Sequence, residues 1–152
     1  MLVAALCVSG HVFSAFGGKL AASVVAIAQT KAGLTFGDAF VRGILCNFLV
    51  CIAVWMANAA RTVGGKIAAV FFPIMAFVVA GFEHSIANMY YLAAGLFTAG
   101  QTGAAAEGLT WGRALAGNLL PVTLGNLVGG GLLVGVSAWY LYLKQERNSV
   151  NS

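Results

Sequence analysis

The chain has 152 residues, 61% of them hydrophobic and 8% charged, with a formal net charge of +4. A soluble domain carries about a quarter charged residues, so a soluble fold this apolar could not cover its own surface, and the membrane class follows. The eight basic residues are scattered, which excludes a nucleic-acid surface built on clustered Lys and Arg.

The chain opens on "MLVAALCVSGHVF". There is no basic n-region, so this is not a signal peptide. Its apolar part, residues 1–9, is about half the length of a membrane span. It reads as the tail end of a helix whose beginning is absent, and the expectation is a fragment. The connection 10–39 follows, and its middle, "LAASVVAIAQT", suits a short helix outside the bilayer core. Lys31 in this stretch is, by itself, an ordinary solvated lysine.

The first full span is expected at 40–60, "FVRGILCNFLVCIAVWMANAA". Thr35 and Asp38 before it have capping-box spacing, with Asp in place of the usual Glu. Cys46 and Cys51 lie about 140° apart around a helix, and Cys7 is distant, so the three cysteines fit neither a metal site nor a disulfide scaffold. Asn47 is the amide in the core of this span. With Val50 and Val54 it lies near one face. Two readings stand: a pore stripe, or an interhelical hydrogen bond of the kind common for membrane Asn. On Asn47 alone the second is favoured.

The segment 66–97 is long for one straight span. At its centre stands "GFEHSIANM", an acid, an imidazole, a hydroxyl and an amide in an otherwise apolar run. An ionisable group at mid-membrane costs about 2.5–3.5 kcal/mol on insertion scales, the figure for an Asp or Lys. The cluster divides the segment into two short apolar pieces, which predicts a discontinuous helix. Glu83 and His84 are adjacent and point about 100° apart if helical. One therefore faces a lumen while the other serves the scaffold. His84 and Asn88 share a face where the segment is helical, and Ser85 is expected to cap a second half-helix. The competing reading is a packing cluster without ligand. For four polar groups at a helix break, transport is favoured.

A polar, Gly-rich loop leads to the last span, 118–143, "NLLPVTLGNLVGGGLLVGVSAWYLYL". Pro121 is expected in its first turn, where a missing N–H is harmless. Asn118 suits cap and packing roles, whereas Asn126 lies deeper. Gly125, Gly129, Gly131 and Gly135 include two Gly-xxx-Gly spacings that admit a close helix. Trp139, Tyr140 and Tyr142 suit the interface. A polar tail, 144–152, ends the chain. Lys and Arg divide four against four between the two sides. Asp38 and Glu107 make the side opposite the tail less positive, which places the tail in the cytoplasm.

Three long motifs in order, "GILCNFLVCIAVWMA", "GFEHSIANM" and "NLLPVTLGNLVGGG", resemble the formate/nitrite transporter family. The resemblance implies an all-α integral membrane fold: an aquaporin-like helical bundle with a broken helix. About three full spans and a partial one would be present here. It implies a six-helix protomer of two inverted halves, five to a ring, with this chain the C-terminal part of the protomer. By position, His84 resembles the central pore histidine and Asn47 its partner amide. Lys31 resembles a lysine that draws anions into the outer vestibule. Val50 and Phe77 resemble the two hydrophobic constrictions. Glu83, Asn88 and Asn126 match positions that support the broken helix.

The function this implies is proton-coupled passage of a small monovalent anion through a bacterial inner membrane. Formate is placed first, with nitrite and hydrosulfide as alternatives. No cofactor, metal or nucleic-acid partner is implied. Two other classes compete. An intramembrane metal hydrolase would use Glu83 and His84, but a metal site needs three or four ligands, and the other histidine is His11 in the first connection. A fragment that inserts without transporting is the third class.

Overall fold

The computed structural model describes residues 1–144; the expected polar tail beyond them, with Arg147, lies outside the described residues. Every described element is helical. In chain order these are α1 (Leu2–Ser9), α2 (Lys19–Ala32), α3 (Phe36–Ala59), α4 (Val63–Val79), α5 (Ser85–Thr102) and α6 (Arg113–Tyr142). Two short 3-10 turns, Val12–Ser14 and Phe16–Gly18, join α1 to α2.

The helix starts are legible in their caps. The Asp38 backbone N–H donates to Thr35 Oγ1 at 3.1 Å, and the hydroxyl donates in turn to Asp38 Oδ2 at 2.7 Å. This is a capping box in which the short Asp bonds the hydroxyl rather than the backbone. Thr62 accepts from the Gly65 N–H and starts α4, and Thr110 accepts from the Arg113 N–H at 3.2 Å before α6. Each satisfies an N–H that helix geometry leaves without a partner.

Two helices, α3 and α6, are long and apolar enough to cross a membrane, with mean hydropathy of 2.0 and 1.8, and α4 is a shorter apolar helix. Much of their surface points outward. Val63, Ile67, Phe71 and Val78 of α4 are all exposed, and Val79 is 82% exposed. In water such a face would be unstable; in lipid it is the ordinary solvent face.

The chain divides into two compact units. The first comprises Met1–Ala39 and Ser85–Pro121. Here α5 packs on α1 and α2, through small residues such as Ala4, Ala21, Ala28, Ala93 and Ala94. Small side chains let helices approach closely where lipid offers no hydrophobic drive.

The second unit comprises Phe40–His84 and the chain from Val122. Its α3 and α6 meet backbone to backbone. A Cβ on Gly125 would overlap the Phe40 carbonyl, and one on Gly129 would overlap the Ile44 carbonyl. Of the two Gly-xxx-Gly spacings, only this one is used in this way. A Cβ on Gly131 would meet nothing within 4 Å.

Helix α6 starts before the expected span at 118, so Pro121 lies inside it rather than in its first turn. The polar start of α6 is capped by Thr110 and is invisible to a reading based on hydropathy. The winding is π-type over Arg113–Leu119 and α-type over Leu120–Asn126. A proline inside a helix removes one backbone bond and crowds the preceding turn. The wider winding directly before Pro121 gives its ring room.

Replacing Gly129 with Val should disrupt the α3–α6 contact, because the new side chain displaces backbone and not a flexible neighbour. Overpacking of this kind destabilises by about 1–3 kcal/mol or more. Gly131→Ala should be neutral. Thermal unfolding of the two variants in detergent separates them.

Candidate functional site

The segment between α4 and α5 contains the polar cluster, and its geometry begins with how α4 stops. The Gly81 N–H donates to the Val78 carbonyl at 3.1 Å, and the Phe82 N–H to the Phe77 carbonyl at 3.0 Å. Gly81 has φ +68, a left-handed conformation that glycine adopts without strain. This is a Schellman motif, in which the left-handed residue turns the chain out of the helix and its last carbonyls are satisfied. The chain then runs non-helical until α5 begins at Ser85. Ser85 is thus the first helical residue rather than the cap before it, and His84 takes the preceding place.

A break in a membrane helix frees backbone groups that lipid cannot satisfy. Side chains and backbone of α3 and α6 satisfy them here. Asn126 Nδ2 donates to the Glu83 carbonyl at 3.1 Å and to the Gly43 carbonyl at 2.9 Å. The Glu83 N–H donates to the Arg42 carbonyl at 3.4 Å, and Arg42 Nη1 donates to the Gly81 carbonyl at 3.4 Å. Asn47 Nδ2 donates to the backbone carbonyl of Asn126 at 2.7 Å. Asn126 therefore joins three segments: α3 at Gly43 and Asn47, the break at Glu83, and its own helix α6.

The neighbouring acid and imidazole differ in environment. Glu83 is buried, at 3% exposure, whereas His84 is half-buried. The His84 ring stacks on Phe77, with centroids 6.2 Å apart and planes at 27°. Val50 is half-buried on α3, one turn after Asn47. Within the second unit, the structure thus connects Asn47, Glu83 and Asn126 through hydrogen bonds, and His84 with Phe77 through ring contact.

Lys31 and Asn88 lie in the first unit. Asn88 Nδ2 donates to Asn118 Oδ1 at 2.8 Å, and Asn118 Nδ2 donates to the Lys31 carbonyl at 2.9 Å. Lys31 stands in the last turn of α2, where a cation complements the helix dipole. Its ammonium sits 5.5 Å from the centroid of the Tyr91 ring.

Sequence reasoning gave Asn118 only a cap or packing role, and it is a buried bridge between α5 and α2. Arg42 and Tyr91 were missed. A polar residue early in an apolar span could have pointed to Arg42. Nothing in the sequence pairs Tyr91 with Lys31, sixty positions earlier. His11, in the α1–α2 connection, has its Nδ1 3.5 Å from Gln101 Nε2. Among the described residues, no three His, Cys, Asp or Glu side chains are grouped to hold a metal ion.

These features define a helical membrane chain with a discontinuous helix whose break is closed by Asn126 and Arg42. The formate/nitrite transporter family model matches residues 1–140. A probable formate transporter of Methanothermobacter thermautotrophicus is 45% identical over 131 residues, covering 86% of this chain and 44% of that protein. The formate channel FocA of Escherichia coli K12 is 38% identical over 159 residues, covering 96% of this chain and 55% of its own length. A solved pentameric formate channel with formate bound superposes with a TM-score of 0.82 at 37% identity, covering 93% of this chain and 60% of that one. The chain belongs to the formate/nitrite transporter family, a family of integral membrane channels and transporters and not of enzymes. It spans about half the length of the curated relatives it matches.

Asn126 acts here through its two N–H bonds, so Asn126→Leu should leave two carbonyls unmet and cost about 1–3 kcal/mol. Asn126→Asp should do at least as much harm at neutral pH, because a carboxylate would face those carbonyls. Its deficit should shrink as pH falls and the carboxyl becomes a donor. Unfolding in mixed micelles across pH checks both statements.

Proposed function

We propose that this chain supplies the second half of a pH-coupled pore for a small monovalent anion, formate first, with nitrite and hydrosulfide as alternatives. The observation that carries the reading is the closed break at Gly81–His84. It sets an imidazole beside an aromatic ring, directly before the N-terminus of an 18-residue helix. A helix N-terminus favours negative charge, and imidazole titrates near neutrality. The formate bound in the similar pentameric channel supports the substrate class, and its assembly supports a homopentamer of the completed protomer.

In this reading Lys31 and the dipole of α5 raise the anion concentration at the mouth. Apolar steps at Phe77 and Val50 reject a bare charge, whose desolvation is costly. Low dielectric raises the anion's own pKa and favours the neutral acid. His84 supplies or relays the proton, with Asn47 as its partner amide. Glu83, Asn88 and Asn126 hold the scaffold. The membrane is a bacterial inner membrane, with the C-terminus in the cytoplasm.

His84→Phe tests the proton role. Formate flux through the unaltered protein should rise as external pH falls, and His84→Phe should flatten that dependence. An unchanged pH profile would sink the relay. The measurement is made in proteoliposomes, with the 152-residue chain beside the same chain completed by the first half of the Escherichia coli formate channel.

A further inference from the structure

Lys31 is held by two helices, its carbonyl by α6 and its ammonium by a ring of α5. Its carbonyl accepts from Asn118 Nδ2 at 2.9 Å, and Asn118 in turn accepts from Asn88 of α5 at 2.8 Å. Asn118 is 0% exposed and Asn88 1%, so the two amides behind this main-chain grip are buried. Three residues after Asn88 on α5, hence one turn away on a neighbouring face, comes Tyr91. Its ring lies 5.5 Å from the Lys31 ammonium, inside the distance over which an aromatic face attracts a cation.

The ring itself is braced. Tyr90 meets Tyr91 edge to face, with centroids 5.8 Å apart and planes at 70°. The Tyr90 hydroxyl donates to Cys7 Sγ at 3.8 Å, which anchors it on α1. A lysine side chain has four rotatable bonds and sweeps a wide volume when unrestrained. A fixed ring beneath the ammonium narrows that volume without supplying a negative formal charge. Tyr91 is 41% exposed, so it is not a core side chain whose loss would unfold the unit.

We infer that Tyr91 is a positioning residue: its ring fixes where the Lys31 ammonium presents positive charge to incoming anions. This rests on the reading above that Lys31 draws anions toward the pore. The ring face carries the effect, not the hydroxyl. Position 91 should therefore accept Phe and reject Leu.

The test is formate flux against formate concentration at low ionic strength, in the proteoliposomes described above, with the completed chain as carrier. Tyr91→Leu should raise the half-saturating concentration about two- to tenfold, the range a cation–π contact supports, and leave the maximal rate unchanged. Tyr91→Phe should behave as the unaltered protein. High salt should narrow the difference for Tyr91→Leu, because screening weakens any effect routed through charge. In a Lys31→Gln background, Tyr91→Leu should add nothing. The inference is overturned if Lys31→Gln raises the half-saturating concentration while Tyr91→Leu does not. It is also overturned if Tyr91→Phe is as impaired as Tyr91→Leu, or if Tyr91→Leu adds its full effect without Lys31. If Lys31→Gln alone changes nothing, it is the role of Lys31 that fails, and the positioning role falls with it. Thermal unfolding of Tyr91→Leu confirms that the fold is retained.

Discussion

A helix cannot be interrupted within lipid unless protein satisfies the backbone groups it releases. In this chain that constraint is met by the Asn126 side chain, which donates to both Gly43 and Glu83. The remaining arrangement depends on it. The Schellman turn at Gly81 ends α4, Arg42 bonds the break through its side chain and carbonyl, and Asn126 closes it. With the backbone satisfied, Glu83 can be buried while the His84 ring remains half-buried against Phe77. The close approach of α3 to α6 at Gly125 and Gly129 belongs to the same device. The amide at Asn126 reaches Gly43 because no side chains hold the two backbones apart.

A second amide of α6 does comparable work in the other unit. Asn118, eight residues before Asn126, donates to the Lys31 carbonyl and accepts from Asn88. In both cases a buried Asn holds a backbone carbonyl of another segment. Such amides suit a membrane interior, since they hold a carbonyl by a hydrogen bond yet carry no charge to desolvate. Both candidate charge-bearing residues, Lys31 and His84, are thereby tied to a bonded backbone: Lys31 through its own carbonyl, His84 through its neighbour Glu83.

Much of this was legible in the sequence, for identifiable reasons. Polar residues inside an apolar run are costly enough to be conspicuous, so the break at Glu83–His84 could be read directly. Thr35 and Asp38 gave the start of α3 because capping is local chemistry. Asn47 could be read as an interhelical bond, and it is one. The stop at Gly81 is equally local, since it rests on one glycine in a left-handed conformation. The start of α6 was misplaced because hydropathy reports contact with lipid, whereas the helix begins earlier, at a cap on Thr110. Arg42 at Gly81 and Tyr91 at Lys31 are contacts between distant parts of the chain. No local pattern encodes them; only the packing of helices brings them together.

In the proposed function the closed break belongs to a conducting pathway for a small anion. Uptake of labelled formate into proteoliposomes, using the chain completed by the first half of the Escherichia coli formate channel, tests it most directly. Saturable formate uptake is expected, faster with an acidic exterior and competed by nitrite. Uptake no greater than in protein-free vesicles, from a completed protein shown to be folded and inserted, would contradict it.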